Sequence, residues 1–126
     1  YEVVRVARPP QRLGVPHTHY RVDASPEEFL ALVRDAEIVL TTSFHGTAFA
    51  VNYGKPVFTV VQDRNASDSR QVSLMNNLGL DKQILSITDL MPDKSRFSYD
   101  VRLEQERLEI LRQQSLDYLN NALINE

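Results

Sequence analysis

The sequence predicts an α/β fold, a parallel sheet with helices on both faces, and three observations predict it. Residues 38–61, IVLTTSFHGTAFAVNYGKPVFTVV, read as strand, polar turn, helix and second strand in direct succession. The apolar runs Ile38-Val39-Leu40 and Val57–Val61 suit strands buried on both faces, as in parallel sheets. Upstream, Ser25-Pro26-Glu27-Glu28 opens another helix, so strands and helices alternate, the pattern of parallel crossovers.

Each element follows from its residues. Val3-Val4-Arg5-Val6 reads as a first strand, and residues 7–19, with three prolines and a glycine, as an irregular loop before a short strand at 20–22. Ser25 is a capping residue with Pro26 at the first helical position and Glu28 placed to reach back to the cap. The helix over 26–35 has Phe29, Leu30, Leu32, Val33 and Ala36 on one face, to cover the sheet beside the 38–40 strand. After the turn, Phe44, Ala48, Phe49, Ala50 and Val51 make a helix apolar nearly all round, which Gly54 and Pro56 stop. A polar loop over 62–68 leads to a helix over 70–78, capped by Asp68 or Ser69 and ended by Gly79. Ile84-Leu85 is the last strand, 90–100 is loop, and a long helix occupies 103–123. Its stripe of Leu108, Leu111, Leu119, Ala122 and Leu123, with Tyr118 adjacent, is expected in the core; any part left uncovered is a surface for self-association.

A length of 126 residues sets one domain with a real core. The longest apolar runs are far too short to span a bilayer, so no transmembrane segment is expected. Fourteen basic against 17 acidic residues leave a net charge of −3, which excludes a general nucleic-acid or anionic-lipid surface and makes any anion site local. With zero cysteines there are no disulfides, thiol nucleophiles or thiolate metal sites, and the composition fits a reducing cytoplasm. The chain opens at Tyr1 directly into a strand, as expected of a piece of a longer protein.

The turn over 41–47 is where function is expected. A helix that starts at a strand's carboxyl end points free N–H groups outward, and with its dipole favours an anion. Thr41, Thr42, Ser43 and Thr47 add hydroxyls around the same point, Gly46 serves packing within the turn, and His45 is the titratable group among them. Arg70 opens the next helix at the same sheet edge, where ligands of parallel α/β sheets gather. Its planar fork suits a carboxylate or phosphate. His17 and His19 lack a nearby carboxylate set and read as loop histidines, so no metal site is expected. Asn65-Ala66-Ser67 has sequon form and reads as a loop tripeptide.

TTSFHGTAFAVNYGKPVF, then SRQVSLMNNLGL, then RLEILRQQSLDYL resemble the carboxyl-terminal half of the polysaccharide pyruvyl transferase family, over about residues 25–123. In many members an acidic residue precedes the Ser of SFHG, or an Arg stands two positions before the His. Here Thr42 and Ser43 occupy those places, so the turn itself has no basic residue beside His45. The resemblance implies a Rossmann-like domain, one half of a GT-B-like two-domain fold whose amino-terminal domain is not in this chain. It implies a parent enzyme that moves a pyruvyl group from phosphoenolpyruvate to a saccharide acceptor of a bacterial cell-surface polysaccharide as a ketal, with no cofactor. His45 then matches the family's histidine as acid or phosphate contact, and Arg70 its SR motif as second anion clamp. A cationic His45 is expected with donor bound rather than without it, since a helix N-terminus opposes an imidazolium. The fragment alone is expected to be inactive. Two other readings stay open: a GT-B glycosyltransferase holding a nucleotide-sugar donor, and a non-catalytic partner-binding domain.

Overall fold

The computed structural model describes residues 1–6, 17–66 and 69–125. Its elements in chain order are β1 (Val3–Arg5), β2 (Thr18–Tyr20), α1 (Pro26–Asp35), β3 (Val39–Thr41), α2 (Phe44–Asn52), β4 (Val57–Val61), α3 (Arg70–Asn77), β5 (Ile84–Ser86) and α4 (Arg102–Ile124). Short 3₁₀ turns precede β5 and occupy Lys94–Arg96. All strand pairings are parallel: β3-β4-β5 form one sheet and β1-β2 a separate pair. The expected α/β architecture, Rossmann-like parallel strands flanked by helices, is the one observed.

Local chemistry explains most boundaries. Ser25 caps α1 by accepting from the Glu28 N–H at 3.2 Å, but the Glu28 carboxylate pairs with Arg21 at 2.7 Å instead of reaching back to the cap. Gly54 (φ 66°) and Gly79 (φ 74°) end α2 and α3 in the left-handed region that glycine adopts without strain. Ser69 caps α3, accepting from Val72 N–H at 3.3 Å; Asp68, the other expected cap, lies outside the described residues, as does most of the 7–19 loop. The second strand falls at Thr18–Tyr20 rather than 20–22. Its register is set by β1, with Val3 N–H donating to His17 O at 3.1 Å and Arg21 N–H to Arg5 O at 2.8 Å, while Val22 is 59% exposed.

The core lies between the three-stranded sheet and the helices. Val57 and Val61 of β4 pack with Val33 of α1, Ala50 and Val51 of α2, Val72 and Met75 of α3, Leu78, Leu80, Ile84 and Leu108 of α4. Phe58, one residue out of phase on β4, faces the opposite side and is covered by Phe97 (ring centroids 6.2 Å apart) and the Arg96 guanidinium. Tyr99, half-buried, accepts from the first N–H of β4, Val57, at 2.9 Å. No helix among the described residues is long and apolar enough to cross a membrane.

The α4 stripe divides. Leu108 is buried and Leu111 packs against the core, whereas Leu119, Leu123 and Tyr118 are exposed. The three-stranded sheet and its helices seat only the first turns of a 23-residue helix. The remainder extends past them.

Candidate active site

The turn after β3 is built by its own hydroxyls. Thr41 Oγ1 accepts from the Ser43 N–H at 3.0 Å, which bends the chain out of the strand. Ser43 caps α2 by accepting from the Gly46 N–H at 3.2 Å, and its carbonyl takes the Thr47 N–H at 3.0 Å and the Thr47 hydroxyl at 2.9 Å. These bonds satisfy the third and fourth donors of the helix. The N–H groups of Phe44 and His45 are left without partners among the described residues, open to an anion.

The expected site residues fall into two sets. Gly46 and Thr47 are buried, Thr47 completely, and its hydroxyl is spent on Ser43 and on Thr59 Oγ1 at 3.0 Å. Gly46 is buried because its Cα lies against Thr41: a Cβ there would sit 2.4 Å from Thr41 Oγ1. Both shape the turn from inside and offer no side-chain donor outward. Thr42, Ser43 and His45 are exposed. The hydroxyls of Thr41 and Ser43 already accept, but each keeps its hydrogen to donate. Thr42 has no partner among the described residues.

Arg70 reaches this turn through space. Its guanidinium lies over the Phe44 ring, 4.7 Å from the centroid, and the His45 ring meets the same residue edge-on at 5.7 Å. Phe44 is thus the wall that His45 and Arg70 share. The basic residue that the turn lacks in sequence arrives from the start of α3. Arg70 has no ion pair among the described residues, whereas Arg64 in the preceding loop is tied to Asp89. That loop is braced by Asp63, whose carboxylate takes the Asn65 N–H at 2.9 Å. Among the described residues no cluster of histidine and acidic side chains can hold a metal ion.

Two residues outside the expected set complete the arrangement. Thr59, fully buried on β4, accepts from Gln71 Nε2 at 2.8 Å, so the first turns of α2 and α3 are joined beneath the surface. The signal was visible: Thr59 is the lone hydroxyl in VFTVV.

Residues 4–64 match the family model described as polysaccharide pyruvyl transferase, just under half of the chain. That segment is similar to the polysaccharide pyruvyl transferase family. It contains all of β1 but Val3, then β2 to β4 and the whole His45 turn, and it ends six residues before Arg70. The match begins earlier and ends earlier than the 25–123 stretch that carries the resemblance by motif. No curated protein and no solved structure gives a significant match. The family is one of transferases, and the family's name gives the group transferred.

Proposed function

We propose that this domain holds the phosphoenolpyruvate of a pyruvyl-transfer reaction between the start of α2 and Arg70. The observation that carries the reading is the convergence of exposed His45 and Arg70 on one Phe44 wall, at the open amino end of α2, in and beside the segment that matches the family. Phosphoenolpyruvate has two anionic ends. The free N–H groups of Phe44 and His45 with the hydroxyls of Thr42 and Ser43 suit one, and the Arg70 fork suits the other. Thr41, Gly46 and Thr47 hold that loop in shape.

In the transfer, one acceptor hydroxyl adds to the central carbon of the donor while a proton goes to its methylene carbon. Phosphate then leaves, and a second hydroxyl closes the ketal; of the two hydroxyl protons, one ends in the new methyl group and one on the phosphate. His45 is the acid for the first proton or the partner of the departing phosphate. The acceptor is a saccharide of a bacterial cell-surface polysaccharide, met across a cleft from a second domain in a GT-B-like parent, and the reaction runs in the cytoplasm. No cofactor is required, and the domain alone lacks one cleft wall and is inactive.

An amide chemical-shift titration with phosphoenolpyruvate, UDP and inorganic phosphate tests this. Phosphoenolpyruvate is expected to move residues 42–46 and 70 most, with His45→Ala and Arg70→Ala each weakening it by about tenfold, the loss of one charge-assisted hydrogen bond. A preference for UDP at these residues transfers the site to a nucleotide-sugar donor. Silence to all three leaves a partner-binding domain.

A further inference from the structure

The hydrogen bonds beneath the candidate site run in one direction. The Thr47 hydroxyl donates to the Ser43 carbonyl at 2.9 Å, so the 3.0 Å bond between Thr47 and Thr59 must use the hydrogen of Thr59. Thr59 Oγ1 is then an acceptor for Gln71 Nε2 at 2.8 Å. The chain reads Gln71 to Thr59 to Thr47 to Ser43. Its ends are the cap of α2, two residues before His45, and the second residue of α3, next to Arg70. Thr47 and Thr59 are both completely buried, where such bonds meet no competition from water.

We propose that Thr59 is a positioning residue that fixes the spacing of the two helix starts and thereby selects a ligand with two anionic ends over a single phosphate. The inference rests on the reading of the His45 and Arg70 pair as an anion site. A ligand with a single anionic group needs only one helix start and is indifferent to their separation. A ligand that carries a carboxylate at one end and a phosphate at the other gains only when both starts are held at its length, because loosening them restores the ordering cost of the second contact.

The test compares affinities for phosphoenolpyruvate and inorganic phosphate in wild type, Thr59→Val, Thr59→Ser and Gln71→Met, each with its thermal midpoint. Valine keeps the buried volume and removes the hydroxyl; serine restores it. Methionine breaks the same chain from half-buried Gln71, so the comparison survives if Thr59→Val does not fold. The expected result is a preference for phosphoenolpyruvate that falls about tenfold in Thr59→Val and Gln71→Met, while phosphate affinity stays within about twofold and Thr59→Ser behaves as wild type. A general loss of folding would lower both affinities together. If wild type discriminates and both chain-breaking variants discriminate equally well, the positioning role is overturned alone. If wild type responds to neither anion at residues 42–46 and 70, the site reading fails and takes this role with it.

Discussion

At Gly46 the fold has no room for a side chain, because the end of β3 passes directly beneath the first turn of α2. An alanine Cβ would lie 2.4 Å from Thr41 Oγ1 and 3.1 Å from Thr41 Cβ. The Thr41 hydroxyl cannot simply rotate away, since it holds the Ser43 N–H at 3.0 Å and so the cap of the helix. Gly46→Ala is therefore expected to destabilise the domain by about 1–3 kcal/mol, the range of overpacked sites. In Gly46→Ala combined with Thr41→Ala the nearer contact is gone. The double variant should then be less destabilised than the sum of the singles by about 1 kcal/mol. Denaturant midpoints of the four proteins measure this, and strict additivity would show that Thr41 is not what excludes the methyl group. That this glycine serves packing was legible from the sequence. The identity of the group it approaches was not, because residues five apart across a turn meet only once the Ser43 cap has set the bend.

Among the elements, α4 carries the clearest conflict between local pattern and tertiary setting. Glu104 is 3% exposed, and neither carboxylate oxygen has a hydrogen-bond partner among the described residues. Burial pushes its titration up from the ordinary 4.5 to about 7, and half-buried Tyr99 nearby is pushed up to about 12, chiefly by burial as well. The sign follows from linkage. Between pH 4.5 and about 7 the folded chain keeps a proton on Glu104 that the unfolded chain has released, so this group's contribution to stability is greatest below 4.5 and falls as pH rises through that window. Spread over the interval, the loss reaches about 3 kcal/mol at most. Glu104→Gln cannot ionise. Its stability advantage over wild type should grow from near zero at the acid end to about 2–3 kcal/mol above neutrality. Stability curves of the two proteins that run parallel from pH 4.5 to 8 would sink this account. Sequence periodicity marks Leu108 and Leu111 as core and does so correctly. It is silent on Glu104 because a glutamate reads as a solvated position unless the seat of the helix is known.

Over the whole molecule, the parallel α/β plan was readable because its signals are local: Ser25 and Ser69 cap their helices, Gly54 and Gly79 end theirs, and apolar runs mark β3 and β4. The approach of Arg70 to Phe44 is long-range and needed the fold. The fate of α4 is also a property of the whole, since its amphipathic stripe is longer than the surface available to it. Gln105 Nε2 bonds the Val51 carbonyl at 2.8 Å and Arg112 bonds Asn52 Oδ1 at 2.6 Å, tying the first half of α4 to the end of α2. Beyond Leu111 the helix has Leu116, Tyr118, Leu119, Leu123 and Ile124 exposed, and Asp117 is the only charged residue over 113–125. Such a face, apolar and nearly free of like-charge repulsion, is expected to pair two copies of the chain in solution. Sedimentation velocity over a hundredfold concentration range should show a monomer–dimer equilibrium. Leu119→Lys places an ammonium in the shallow groove lined by Leu111, Ser115 and Tyr118, and should weaken pairing by at least about tenfold, because burying that charge unpaired costs well over 1.4 kcal/mol. A chain that stays monomeric at every concentration, with Leu119→Lys unchanged, would remove self-association as the use of this face. The exposed half of α4 would then be reserved for the second domain of the proposed parent enzyme, and adding that domain should protect the amides of 113–125 from hydrogen exchange.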